Sequence, residues 1–364
     1  MAIAESKSEE IAVLGGDRRR TARLVIWLLV GGLALAAFLS LSIGATGFTP
    51  GAAWEAIWAS LRGASGNEAA LRDTIILDIR LPRTLLGIII GAALAVSGVV
   101  LQGLFRNPLA DPGLVGVSSG AGLAAVIVII GIPIFLPETA RLIGPYALPV
   151  AAFFGALITT TLLYRIATRA GRTSVATMLL AGIALGALAG ALTGYLTYLS
   201  DDQQLRDLTF WTMGSLGGAT MEKVLISAPF ILVALISIPW LADRLDALLL
   251  GEAEAGHLGV EVQTVKRLAI VIVALSVGAS VAAAGPIGFI GIVVPHLLRL
   301  GIGPRHRALL IGSALLGAIL LIGADIVSRT AVAPAELPIG IVTALIGAPF
   351  FLWLLLRRRS LVDL

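Results

Sequence analysis

Ten stretches of this sequence are apolar for about 20 residues each, the length needed to cross a bilayer core as a helix. They lie near 22 to 42, 82 to 105, 114 to 132, 146 to 168, 174 to 198, 221 to 241, 263 to 284, 289 to 301, 308 to 328 and 337 to 356. The third and eighth are short, and the eighth contains Pro295. Inside lipid every backbone N–H and C=O must be satisfied by the chain itself, which leaves helices or closed barrels. A barrel would show short alternating strands instead. With 58% hydrophobic and only 13% charged residues, the chain as a whole belongs in lipid. The expected fold is an all-α polytopic bundle, with one membrane domain over residues 22–357 and short polar tails at 1–21 and 358–364.

An even number of spans places both termini on one side, and the distribution of Lys and Arg says which. Eighteen of the 26 fall on the side of the termini, among them Arg18 to Arg20, Arg165, Arg169, Arg172, Arg305, Arg307 and Arg357 to Arg359. Both termini are therefore expected in the cytoplasm, together with the polar stretch "GEAEAGHLGV" at 251 to 260. The 43 to 80 segment and the loop "SDDQQLRDLTFWTMGSLGG" are expected outside. The basic run "DRRRTAR" reads as the flank of a retained first helix rather than as part of a signal peptide. Spans two to five and seven to ten are equal in number and opposite in direction, the arrangement of an inverted repeat.

Several function classes are excluded. There is no cysteine, hence no disulfide or thiolate chemistry. His257, His296 and His306 are scattered, and no metal site is expected. The basic residues gather at helix ends, so the net charge of +4 is no sign of nucleic-acid binding. None of Lys7, Lys223 and Lys266 follows a glycine, as a phosphate-binding loop would require. Asp325 is the one acidic residue well inside a span, too few for a proton relay, and no Ser/His/Asp set or "HExxH" motif is present.

Three polar or small-residue features stand out against the apolar background. Runs such as "LLAGIALGALAGALTG" let helix backbones approach closely in lipid, and such faces can also line a wide pathway. "RNPLADPG" at 106 to 113 ends the second span, since Pro108 disfavours helical geometry at Asn107. It is either an ordinary turn or a constriction at the inner mouth. Arg80 and Arg83 open the second span and Arg329 closes the ninth, on the side where arginines are expected to be few. Arg329 lies i,i+4 from Asp325, so local pairing competes with an external role.

Together these residues resemble a family. "RLPRTLLGIIIGAALAVSGVVLQGLFRNPLADPGLVGVSSGAG", "TMLLAGIALGAL", "FWTMGSLGG", "LLLGEAEAGHLGV", "AGPIGFIGIVVPHLLRLGIGPRHR" and "AELPIGIVTALIGAPFFLWLL" are similar to the permeases of bacterial ABC importers for iron siderophores, haem and cobalamin. The likeness runs in order from about residue 75 to the C-terminus. It implies a type II ABC importer permease fold in the cytoplasmic (inner) membrane. It further implies a homodimer, two cytoplasmic ATPase subunits that hold ATP and Mg, and a periplasmic or lipoprotein binding protein that delivers substrate. The chain itself would bind no cofactor and catalyse no reaction.

By the same resemblance, coupling helices at about 244–262 dock on the ATPase through Gly251, Glu252, Ala255, Gly256, Leu258 and Gly259. Arg80, Arg83 and Arg329 match outer arginines that pair with glutamates of the binding protein. Asn107 and Leu109 match a cytoplasmic gate, and Val175 and Ala176 a second constriction, where more polar residues of the family are replaced. The wording "DDQQLRDLTFWTMGSLGGAT" most resembles haemin permeases, with siderophore and cobalamin permeases as alternatives. A self-sufficient secondary transporter is the competing class, because the absence of an ATP site does not separate the two.

Overall fold

Where the chain breaks its helices is decided mostly by proline and by capping side chains. A computed structural model describes residues 2–44, 51, 74–138, 147–169 and 172–359. Most of the expected external 43 to 80 segment lies outside the described residues. Helix α1 (Ala2–Ser42) begins well before its apolar run, within what the sequence reads as a tail. A π-helical turn (Thr74–Arg80) leads into α2 (Leu81–Leu104), and α3 (Val117–Phe135) contains a second π-helical turn at Ile127–Gly131. Each π turn comes just before a proline, Pro82 or Pro133. A proline ring pushes away the carbonyl four residues back, and the wider turn absorbs that displacement.

Helix α4 (Ala147–Ala167) is joined to α5 (Val175–Tyr198) by a two-stranded ribbon, β1 (Thr168–Arg169) and β2 (Arg172–Thr173). The Ser174 side chain caps α5 by accepting from the Thr177 N–H. The stretch expected as an outer loop folds instead into α6 (Asp202–Thr212), started by a capping box between Asp201 and Gln204. Next come α7 (Met221–Ile236) and α8 (Ile238–Leu250), bent by 47° where Pro239 cannot continue the α7 ladder. Short α9 (Glu252–His257) precedes α10 (Val262–Ala284), α11 (Ile290–Ile302), α12 (His306–Thr330) and α13 (Ile339–Arg359).

Seven of these helices are long and apolar enough to span, the bent α7–α8 pair makes an eighth, and α11 and α13 are shorter apolar helices. Each of the ten expected spans thus has its helix. Burial shows which are central: the apolar window of α2 is 83% buried, that of α1 only 6%. Helices α2, α10 and α12 form the middle, and α1 lies along the outside against α12.

The expected inverted repeat is present in the packing. Taking α2–α5 against α10–α13, α2 packs on α12 as α10 packs on α4. The α3–α4 contact has its mate in α11–α12, α3–α5 in α11–α13, and α2–α11 in α10–α3. The self-related pair is α2–α10, and there Ser97 and Ser276 share a buried hydrogen bond of 3.0 Å. The two related half-helices α3 and α11 even start alike, from left-handed residues Gly116 (φ 74°) and Phe289 (φ 69°).

Small residues serve close packing here. A Cβ on Gly91 would lie 2.4 Å from the Gly317 carbonyl, and one on Gly317 would lie 2.3 Å from the Gly91 carbonyl, so α2 and α12 meet backbone to backbone. Gly120 and Gly155 join α3 to α4 in the same way. In lipid no hydrophobic force drives helices together, and such contacts supply the dispersion attraction that does.

Candidate functional site

The polar segment between α8 and α10 is built to hold a short helix in one position. Helix α8 ends at Gly251, whose φ of 130° and ψ of 156° suit glycine alone. Helix α9 then turns back, with Ala255 fully buried against its neighbours. From α10, the buried Lys266 ammonium donates to Glu252 Oε1 (2.7 Å) and to the Thr173 carbonyl (3.1 Å). Thr173 in turn donates its N–H to Gln263 Oε1 at 3.1 Å. One lysine therefore ties α9 to the ribbon that leads into α5, where Val175 and Ala176 begin the helix. The outward face of α9 is bare: nothing lies within 4 Å of a Cβ built on Gly256 or Gly259, and Leu258 is 64% exposed. The stretch expected at about 244–262 holds parts of two helices, α8, which starts at Ile238, and α9, which stops at His257.

Helix α8 is also fixed to the start of α12. Asp246 Oδ1 accepts the His306 N–H (3.0 Å) and meets Nδ1 of its ring at 2.7 Å. Burial raises the Asp246 pKa, yet the two hydrogen bonds from His306 outweigh it and hold the carboxyl below its usual range. Beside it, the Arg244 guanidinium stacks 4.3 Å over the Trp240 ring.

At the opposite end, the three arginines expected on the outer side come together and are buried. Arg80, Arg83 and Arg329 are each only 4% to 5% exposed. Arg83 Nε donates to both oxygens of Asp325 (2.8 and 3.1 Å), and its Nη1 to both oxygens of Glu336 (2.9 and 3.0 Å). Arg329 Nη2 donates to the Ser40 carbonyl and hydroxyl, and Arg80 Nη1 to the carbonyls of Leu41 and Ser42. The cluster joins the ends of α1, α2 and α12. Buried guanidinium groups need acceptors, and these side chains find them within the chain except at Arg329 Nε, which makes no hydrogen bond. The i,i+4 contact of Arg329 with Asp325 is long, at 3.7 Å, because Asp325 turns to Arg83.

The break after α2 is a compact turn. Asn107 Oδ1 accepts the Leu109 N–H at 3.0 Å, and Asp111 Oδ1 accepts that of Gly113 at 2.8 Å. Asn107 and Leu109 are half-buried, and the 3₁₀ turn Pro112–Val115 that follows packs against α5. Burial pushes the Asp111 carboxyl up, against the lowering effect of the Gly113 N–H. Gln102 donates to the Gly291 carbonyl and accepts from Arg299 of α11, tying the end of α2 to the related half-helix. Ala176 is exposed. The sequence reading missed Lys266, Gln102 and Arg299; a charged or amide side chain inside or bordering an apolar span was the available signal.

A ten-span bundle with an inverted repeat and a rigid polar helix at one end defines a membrane permease. The chain matches the FecCD transport family over residues 32–357 and belongs to it. It is 47% identical over 338 residues to the hemin transport system permease protein HmuU of Yersinia pestis, covering 93% of this chain and 97% of that one. It is 42% identical over 337 residues to the vitamin B12 import system permease protein BtuC of Vibrio cholerae, covering 92% and 94%. A solved structure assigned to a metal-chelate type ABC transporter in an inward-facing conformation superposes with a TM-score of 0.79 at 32% identity, covering 92% of this chain and 99% of that one. The fold is that of an ABC importer permease.

Proposed function

We propose that this chain is the membrane subunit of an ATP-driven importer that carries haem across the cytoplasmic membrane. The observation that carries the proposal is α9, held rigid by Lys266 and Ala255 with its outer face uncovered, as a helix seated on another subunit must be. The subunit it fits is a cytoplasmic ATPase, two of which would hold ATP and Mg and serve a permease homodimer. Both termini then face the cytoplasm. Closure of the ATPases would push α9, and Lys266 would pass that movement to Thr173 and the start of α5. Asn107, Leu109, Val175 and Ala176 are assigned to the inner gate on the same reading.

A periplasmic or lipoprotein binding protein would deliver substrate to the outer end. There Arg80, Arg83 and Arg329 are assigned to its docking; they fix the helix ends and leave the half-exposed Glu336 at the surface beside them. Glu336→Arg should change capture of the binding protein at low salt, where unscreened charges steer encounter most.

Haem is favoured by the 47% identity to a hemin permease across nearly its whole length. Cobalamin is the second reading, favoured by the 42% identity to a vitamin B12 permease. The deciding experiment is uptake into vesicles containing the permease, its ATPase and its binding protein. Competition by haem and not by cobalamin or ferric siderophores supports the first reading, and the opposite pattern the second. Transport on an ion gradient without any ATPase would overturn both in favour of a secondary transporter.

A further inference from the structure

Helices α1 and α12 run side by side in the same direction: Gly32 lies against Ile319, and Ser40 meets Arg329 near their far ends. At their near ends, where both apolar spans begin, they part around an open cleft of about 1170 Å³. Arg19 and Arg23 of α1 line one side, Arg305 and Arg307 at the start of α12 the other. All four side chains are exposed, and among the described residues none is within ion-pair distance of a carboxylate.

The facing groups on every packed element include two acids. From α8, Asp246 is taken by His306, with Arg305 near enough to act on it electrostatically, and the exposed Asp243 lies at the rim. The cleft keeps a formal excess of two positive charges. Its anion preference gains from the backbone too. Arg305, the residue before α12, provides no side-chain cap, and only the His306 N–H of the first turn goes to a side chain, that of Asp246. The other N–H groups of that turn leave partial positive charge at the cleft. About one turn deeper, Ile26 and Ile311 continue it as an apolar wall.

We propose that this cleft binds the phosphate headgroup of an anionic phospholipid, with its acyl chains along Ile26 and Ile311. Free phosphate would use the arginines but leave the apolar wall wet, whereas a lipid at the depth where two spans enter the bilayer uses both. Assignment to the inner leaflet rests on the orientation proposed above; the binding itself does not.

The test uses the full-length permease in nanodiscs of phosphatidylcholine with or without phosphatidylglycerol. Retained lipid is counted by native mass spectrometry, and the unfolding temperature is recorded. Wild type should retain phosphatidylglycerol selectively and unfold at higher temperature with it. Each arginine replaced by glutamine, up to R19Q/R23Q/R305Q/R307Q, should weaken retention about fivefold. Unfolding in pure phosphatidylcholine should stay unchanged, because these side chains are exposed. Equal retention by the quadruple variant would overturn the proposal, as would displacement by inorganic phosphate, which assigns a free-anion site. Displacement by the purified ATPase subunit would overturn it in favour of a subunit interface. No haem, ATP or binding protein enters the lipid measurement, so failure of the import reading leaves its result intact. A protease-accessible N-terminal tag on sealed cells would overturn the leaflet assignment alone.

Discussion

Arg83 on α2 and Asp325 on α12 lie 242 residues apart in the chain and meet through a hydrogen bond of 2.8 Å between Nε and Oδ1. This pair closes the α2–α12 contact at the end where α2 begins, and the middle of that contact is the Gly91–Gly317 approach. Breaking it by Asp325→Asn leaves Arg83 with Glu336 alone and removes the counter-charge of Arg329. The expected loss is about 3 to 5 kcal/mol, the usual consequence of uncompensating a buried charge. Denaturant unfolding of the solubilised protein measures it. A much smaller loss would mean that water reaches this cluster.

Among the described glycines Gly98 leaves the least room, since its side of α2 has no space for even a methyl group beside Gly291. Gly98→Ala should cost about 3 kcal/mol or more and lower the yield of monodisperse protein. Gly122 has nothing within 4 Å of a Cβ, and Gly122→Ala should change stability by no more than about 1 kcal/mol. Size-exclusion profiles of the two variants, side by side, separate packing from composition.

For the proposed docking of α9 on an ATPase, Gly256 and Gly259 are unequal test positions. Gly256 is helical with open space around it, so Gly256→Trp should leave the permease folded and abolish ATPase association. Gly259 has φ of 82°, and any side chain there adds about 1 to 3 kcal/mol of backbone strain before it touches a partner. Pull-down of the ATPase subunit by each folded variant is the measurement. Wild-type ATPase binding by Gly256→Trp would reduce α9 to a connecting turn.

Lys266→Met should uncouple α9 from the ribbon before α5 without opening a cavity. The expected signature is faster amide exchange at Thr173 to Thr177, with basal ATP hydrolysis kept and its stimulation by loaded binding protein lost. Unchanged exchange there would show that Lys266 does not connect the two.

The Asp246–His306 contact predicts a pH dependence of a definite sign. The folded-state carboxyl is held below its usual range, so the stability it contributes is fully present above the unfolded value, near pH 4, and is lost as pH falls through the lower folded value. Asp246→Asn should therefore unfold more easily than wild type at neutral pH, with the difference shrinking as pH falls below about 4. A gap that widened on acidification would contradict the pairing.

Much of this protein was decided locally. Ten apolar runs specify ten helices because a bilayer offers the backbone no other partner. Pro82, Pro133 and Pro239 mark bends or π turns by removing one N–H each and crowding a carbonyl. Capping at Ser174 and Thr220 is likewise readable along the chain, as was the capping box that made α6 a helix in a stretch read as a loop. What the sequence left open were the partners of charged side chains. Asp325 has an arginine four residues away and another 242 away; helical spacing points to the first, and the crossing of α2 over α12 selects the second. The same holds for Lys266, whose two acceptors come from different connections, and for Arg80, Arg83 and Arg329, whose burial at the helix ends no spacing announces. Sequence spacing reports neighbours on one helix, whereas a buried charge must find its counter-charge wherever tertiary packing brings one within about 3 Å.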